Sequence, residues 1–329
     1  MSAPLFSIGI PNYERPDTLR EALHNIFAQT FQDFEVIVSD DSSNANIAAV
    51  ISEFNDPRLR WVQQEKNIGA VANFNYVIQQ SRGRYIVLHQ NDDMLHPDFL
   101  LRAFNAFQES PRATVYAACV WRGNPEQGLR ASTLTHLGTA AEILNGSPFE
   151  IDGSAIAVQL LVSFPITFPA IVIAANQWRA IGGYFSAHEL GADQITLCRA
   201  LIGTTLLYDT RIGGLYRTHT AQTSRTVTKA DKKHYHQLTL VQMISDLKQH
   251  GIAWQSLLRT HALRAAPAAA IDMLKESIVF RADPRLIRLL TNVLRKRQLL
   301  SRASHYFKLI KKIKLNGSAY LLHCLRSAP

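Results

Sequence analysis

Short apolar runs and amphipathic segments alternate over roughly the first 120 residues of this chain. Leu5–Ile10, Phe34–Ser39, Arg58–Gln63, Tyr85–His89 and Ala113–Trp121 read as strands. Between them, Pro16–Gln29, Asn46–Phe54, Ala70–Gln80 and Phe99–Phe107 read as helices. Leu19, Ala22, Leu23, Ile26 and Phe27 mark one helical face, and Val71, Phe74, Val77 and Ile78 another. This alternation predicts an α/β fold whose mostly parallel sheet is covered by helices on both faces. Residues 123–155 are rich in Gly, Asn, Ser and Thr and read as loop with short strands. Leu160–Ala175 is apolar but broken by Pro165 and Pro169, which excludes one long helix. Gln177–Ile181 and Asp193–Leu201 read as helices, the first stopped by Gly182-Gly183. Thr204–Asp209 and Gly214–Arg217 read as two short strands, and from Ala230 the pattern is helical almost throughout.

Charge divides the chain where periodicity does. Residues 1–225 hold 16 Lys+Arg and 21 Asp+Glu, net −5; residues 226–329 hold 19 and 5, net +14. Two units follow: a catalytic domain over 1–225 and a basic, mainly helical region over 226–329. Hydrophobic residues make up 47% of the 329, enough for a sizeable core. Between Arg285 and Leu315 there are ten Lys or Arg and no acid, interleaved with Leu, Val, Ile and Phe three or four apart. Such a face fits an anionic membrane surface, or else packs on protein, including a second copy of the chain. Nucleic acid is disfavoured, because aromatic residues are sparse there and no recognition module is present. The three widely spaced cysteines, the lack of a signal-peptide pattern and the absence of a run of about 20 apolar residues predict a cytoplasmic protein, with the inner face of the cell membrane as its docking place if the basic region binds lipid.

The chemistry concentrates in Tyr85 to Asp98. An apolar strand runs into Gln90-Asn91-Asp92-Asp93, and Pro97 suits the start of the next helix. Acids beyond the carboxyl end of an interior strand lie where open α/β sheets bind ligands. Adjacent carboxylates repel, which a divalent cation relieves; a polar loop capping the next helix is the other reading. No phosphate-binding Gly-x4-Gly-Lys-Ser/Thr, no Gly-x-Gly-x-x-Gly and no Gly-x-Ser-x-Gly is present.

Five segments in order then resemble the inverting family 2 glycosyltransferases of the GT-A fold. They are Phe6-Ser7-Ile8-Gly9-Ile10-Pro11-Asn12-Tyr13; Gln29 to Ser43 with Asp40-Asp41; Asn67-Ile68-Gly69 with Asn73 and Gly83-Arg84-Tyr85; Ile181-Gly182-Gly183-Tyr184 with Asp193; and Tyr216-Arg217-Thr218-His219. The resemblance implies that Pro11 and Tyr13 line the nucleotide base, that Asp41 accepts from a ring N–H of a uracil or thymine, and that Asn73 and Asn91 join them. It further implies that Asp92, with Asp93, holds Mg²⁺ or Mn²⁺, and that Asp193 is the catalytic base. Trp178, Arg217 and His219 are candidates for acceptor or phosphate contacts. Three positions depart from the family's pattern: Gln90 stands for an acid, Ala192 for Glu, and Ala72 for the Arg that often precedes Asn73.

The expected activity is transfer of a sugar, with inversion, from a UDP- or dTDP-sugar to a hydroxyl of a glycan or lipid-linked acceptor, in bacterial surface polysaccharide synthesis. Thr167-Phe168-Pro169 and the 123–155 segment are expected to exclude water. The alternatives are a nucleotidyltransferase-like enzyme, or a non-catalytic relative that binds sugar nucleotide or glycan.

Overall fold

The computed structural model describes residues 3–42, 46–125, 127–132, 146–161, 166–185, 187, 189–218 and 228–257. Its centre is a sheet of ten strands: β1 (Phe6–Asn12), β2 (Phe34–Asp40), β3 (Leu59–Gln63), β4 (Tyr85–Leu88), β5 (Met94–Leu95), β6 (Val115–Asn124), β7 (Gly128–Ser132), β8 (Phe149–Asp152), β9 (Ile171–Ala174) and β10 (Thr205–Arg217). The order is β3-β2-β1-β4-β9-β6-β10-β5, with β7 beside β6 and β8 beside β10. The helices are α1 (Pro16–Phe27), α2 (Asn46–Ser52), α3 (Ala70–Gln80), α4 (Phe99–Glu109), α5 (Gly153–Gln159), α6 (Ala175–Ala180), α7 (Ala192–Leu201), α8 (Lys229–Gln249) and α9 (Trp254–Leu257).

The apolar alternation explains the layers. Successive strand side chains point to opposite faces. Val36, Val38, Tyr85 and Val87 enter the core under α1 and α4, while Ile37, Ile86 and Leu88 enter the core under α3, α6 and α7. α1 buries Leu19, Ala22, Leu23 and Ile26. A fully buried Leu of this kind contributes about 2–3 kcal/mol relative to exposure.

The first four strands in spatial order are parallel, as the alternation predicts. Beyond them the sheet is mixed rather than mostly parallel: β9 runs antiparallel to both β4 and β6, and β5, β7 and β8 are antiparallel additions. Chain enters β9 through a short 3₁₀ turn, Phe168–Ala170, and not through a crossover helix, so the right-handed βαβ rule does not set its direction. Thr204–Asp209 and Gly214–Arg217 are not two strands. They form the single strand β10, which stays paired with β6 through register shifts between Asp209 and Gly214. Pro97 precedes α4 instead of opening it; Asp98 is the residue before the first turn, and β5 occupies two residues that read as loop.

The chain after residue 225 begins on the same core. Leu240, Met243, Ile244 and Leu247 of α8 are buried in the cluster that includes α7, and Arg199 of α7 pairs with Asp246 at 2.7 Å. Contact is closest at Gly191, just before α7. Its φ is +83°, and a Cβ there would lie 2.0 Å from Thr239 Oγ1 of α8. Gly191→Val adds both backbone strain and a clash with a neighbouring helix, and is expected to cost about 3 kcal/mol in urea unfolding. An unchanged unfolding midpoint would show that α8 is not seated on α7 this tightly. The Arg285–Leu315 segment lies outside the described residues.

Candidate active site

Three strand ends and one helix converge through one buried asparagine. Asn12 closes β1, and its Nδ2 donates to Asp40 Oδ1 at 3.0 Å, at the end of β2. Its Oδ1 accepts from Asn91 Nδ2 beyond β4, and its carbonyl accepts from Asn73 Nδ2 of α3 at 3.3 Å and from the Asp41 N–H at 3.0 Å. Asn73 also donates to the Ser39 carbonyl at 3.1 Å. The structure therefore places Asn73 and Asn91 as buried ties between elements, at 2% and 7% exposure. Asp40 also accepts from the Ser42 N–H (3.2 Å) and hydroxyl (2.6 Å), a turn that carries the chain away from the sheet.

Asp41 is held as an acceptor. Ile68 N–H donates to its Oδ1 at 2.7 Å and Gly69 N–H to its Oδ2 at 2.9 Å. Gly69 has φ +85° as the residue before α3, a conformation open to glycine that turns its amide back onto Asp41. Each carboxylate oxygen has a second lone pair, so the group retains capacity for one further donor. Tyr13 stands beyond β1 with 56% of its surface exposed, an aromatic face available for stacking. Pro11 is half-buried in β1 beside Ser39 of β2.

The turn after β4 is gripped by Arg217, the last residue of β10. Its backbone N–H donates to Asp93 Oδ1 at 3.0 Å, its Nε donates to the Asp92 carbonyl, and its Nη1 pairs with Glu21. Arg217 therefore positions the two acids. Asp92 accepts from Arg15 Nη1 at 2.9 Å, the two side chains 13% and 29% exposed. The pair is mostly buried on the Asp92 side, and a cation or phosphate group entering there would compete with it. Asp93 is 1% exposed, and its Oδ2 is buried with no hydrogen-bond partner. Burial, then the neighbouring Asp92 charge, holds the Asp93 carboxyl well above the ordinary range, against the opposing Arg217 N–H and the Arg217 and Arg122 charges. His89, also buried, is pushed down to about 4, chiefly by desolvation, so it is neutral at pH 7.

Asp193 opens α7 from the other side. Its Oδ1 accepts from the Gln194 N–H at 2.8 Å, and burial raises its pKa against that hydrogen bond and the charge of Arg122. Tyr216 links it to the acids of β4. Burial raises the Tyr216 hydroxyl, and the charges of Asp93, Asp92 and Asp193 all reach it. Arg122 of β6, the Cα partner of Tyr216, lies with its guanidinium 4.8 Å from that ring.

Most of the expected site residues thus lie at or around the carboxyl ends of the parallel strands. Trp178 does not: at 2% exposure it packs in the core under α6, and its ring offers no face to a sugar. His219 lies outside the described residues. Sequence reading missed Asn12, Arg15 and Arg122. Asn12 stands inside a quoted segment, but Arg122 carries no local signal, because its partners are 29 to 94 positions away.

The acids present fit part of a divalent-cation shell. Among the described residues no group of three His, Cys, Asp or Glu side chains could hold an ion. Asp92 beside the orphaned Asp93 Oδ2 is the one or two carboxylates that Mg²⁺ commonly takes when substrate phosphates and water complete its coordination.

Residues 7–157 match the family model for glycosyl transferase family 2. An uncharacterized glycosyltransferase of Methanocaldococcus jannaschii, MJ1057, is 31% identical over 114 residues, covering 33% of this chain and 39% of its own length. The putative teichuronic acid biosynthesis glycosyltransferase TuaG of Bacillus subtilis is 27% identical over 127 residues, 37% of this chain and 50% of that protein. The Escherichia coli protein WfgD, a UDP-Glc:alpha-D-GlcNAc-diphosphoundecaprenol beta-1,3-glucosyltransferase, is 30% identical over 90 residues, 27% of this chain and 36% of its own. The alignments thus span half or less of these relatives' lengths. Among solved structures, residues 1–349 of S. aureus TarS in complex with UDP-GlcNAc superpose with a TM-score of 0.58 at 15% identity, covering 89% of this chain and 87% of that one. The mannosyltransferase PcManGT from Pyrobaculum calidifontis, solved with GDP-Man and Mn²⁺, gives 0.50 at 15% identity over 100% and 88%. These structures share the GT-A sheet. Over residues 7–157 the chain is thus similar to glycosyl transferase family 2.

Proposed function

We propose that this chain transfers a sugar from a UDP- or dTDP-sugar to a hydroxyl of a glycan or lipid-linked acceptor, with inversion, in the building of a bacterial surface polysaccharide. The observation that carries the reading is the set of hydrogen bonds that holds Asp41, Asp92 and Asp93 beyond the carboxyl ends of β2 and β4, with the charge of Asp193 felt at the same Tyr216 hydroxyl as those of Asp92 and Asp93. The UDP-Glc used by WfgD and the UDP-GlcNAc bound to TarS support the donor class, and the teichuronic acid biosynthesis of TuaG supports the polysaccharide class.

In this reading Tyr13 stacks on the base and Asp41, fixed by the Ile68 and Gly69 amides, accepts its ring N–H. Arg217 keeps Asp92 and Asp93 oriented toward the diphosphate. Asp92 is the main ligand for a divalent cation, with Asp93 beside it; the cation supplies charge neutralisation to the leaving diphosphate. Asp193 takes the proton from the acceptor hydroxyl. The acceptor oxygen bonds to the anomeric carbon as that carbon's bond to the phosphate oxygen breaks, and the nucleoside diphosphate leaves with the electron pair. Attack opposite the leaving group inverts the anomeric configuration. The half-buried Asp193 carboxyl, raised by desolvation, is the better base for it.

Release of nucleoside diphosphate from a panel of UDP-, dTDP- and GDP-sugars tests the reading, using undecaprenyl-diphosphate-linked sugars as acceptors. Metal-dependent release from a UDP- or dTDP-sugar is expected, and Asp41→Ala should weaken that donor about tenfold or more, as loss of a charge-assisted hydrogen bond does. Turnover of GDP-Man alone would overturn the assignment of the base.

A further inference from the structure

Arg122 is, with Arg15, a cation near the acids that neither the family motifs nor the sequence patterns identify. Among the described residues eight arginines meet a carboxylate at 3.0 Å or less. Arg122 is half-buried and has no ion pair and no side-chain hydrogen bond among the described residues; its one recorded close contact is the Tyr216 ring. A guanidinium carries five N–H donors in a flat fork that suits paired phosphate oxygens. No described residue takes those donors, so in the half-buried Arg122 they are open to such a ligand.

The position says which ligand. Arg122 stands past the pairing of β6 with β9, and its Cα partner is Tyr216, next in sequence to the Arg217 that grips Asp92 and Asp93. Its positive charge is felt by both Asp93 and Asp193, without an ion pair to either. Through Tyr216 and Arg217 it is joined to the turn that carries Asp92 and Asp93. α3 meanwhile carries Ala72 in place of an arginine, and so brings no guanidinium of its own at that position.

We propose that Arg122 binds the diphosphate of the sugar nucleotide and holds it as it departs, a role carried by β6 in a chain whose α3 lacks the cation. This rests on the glycosyltransferase reading above. Tyr216 stacks under the guanidinium and limits its rotation, so that less order is lost when the phosphate arrives.

The test is calorimetric binding of UDP, dTDP, UMP and dTMP, with Mg²⁺ present, to the wild-type protein, Arg122→Gln, Arg122→Lys and the exposed control Arg112→Gln. Arg122→Gln should lose about ten- to a hundredfold in diphosphate affinity. Monophosphate affinity should change less than about twofold, so the diphosphate-to-monophosphate ratio collapses. Arg122→Lys keeps the charge without the fork and should fall between, and Arg112→Gln should behave as wild type. If Arg122→Gln is poorly folded, the same ratio measured on Arg122→Lys decides. An unchanged ratio in the folded variants, with wild type preferring diphosphates, overturns the role of Arg122 alone. Wild type that binds no nucleoside diphosphate overturns the glycosyltransferase reading and this inference together.

Discussion

Asp193→Asn is expected to reduce sugar transfer by on the order of 10²–10⁴-fold, while nucleoside diphosphate binding stays near wild type. The substitution keeps the size of the side chain and an oxygen that can accept the Gln194 N–H, so the start of α7 should persist. What it removes is the capacity to take a proton. The pH profile gives an independent readout. Burial raises the Asp193 carboxyl above its ordinary value of 3.8, opposed by the Gln194 N–H, its own N–H and Arg122, with Tyr184 and Tyr216 also within reach of its charge. The rate should therefore rise with pH through a limb above 3.8, and that limb should vanish in the variant. Stability follows the opposite sense. A carboxyl that holds its proton more tightly when folded favours the folded state at low pH, and that contribution declines as pH rises from the unfolded value through the folded one. Asp193→Asn should thus melt no lower than wild type at pH 7. A rate near wild type would remove Asp193 as the base.

Asp92→Asn should lose about 10²–10³-fold in transfer, with a matching loss of Mn²⁺ binding in the presence of nucleoside diphosphate. The turn itself should survive, because Arg217 grips the Asp92 carbonyl and the Asp93 carboxylate, neither of which the substitution touches. Arg15 loses the charge of its partner but can still donate to the oxygen of the introduced amide, which limits the cost. The expected pattern is thus a large functional loss beside a small shift in unfolding. Electron paramagnetic resonance of Mn²⁺ titrated into protein and UDP reads the metal directly, without turnover. Equal Mn²⁺ binding by the variant would mean that the cation sits elsewhere.

The acids of this site were legible because they interrupt apolar runs. Asp40-Asp41 and Asp92-Asp93 each follow a short, mainly apolar run, Val36-Ile37-Val38 and Ile86-Val87-Leu88, buried throughout as a strand between two helical layers is. The parallel half of the sheet was legible for the same reason. The antiparallel half was not, because β9 is a four-residue apolar strand whose direction depends on a neighbouring turn and not on its own pattern. Local periodicity also cannot report a residue whose role comes from distant partners. Asn12 ties β1, β2, α3 and the turn after β4; Gly191 is required by Thr239; Arg122 meets Tyr216 across β10. Trp178 admits two readings in the sequence, a ring packed beneath the site or a platform for an acceptor sugar, and its burial favours the first.

A crystal structure with UDP and Mn²⁺ measures the central claim directly. The base should lie against Tyr13 with its ring N–H on Asp41, the ion on Asp92, and the diphosphate across the cleft from Asp193. A nucleotide lodged in another hollow, or a sealed wall of side chains between its phosphates and Asp193, would contradict the account.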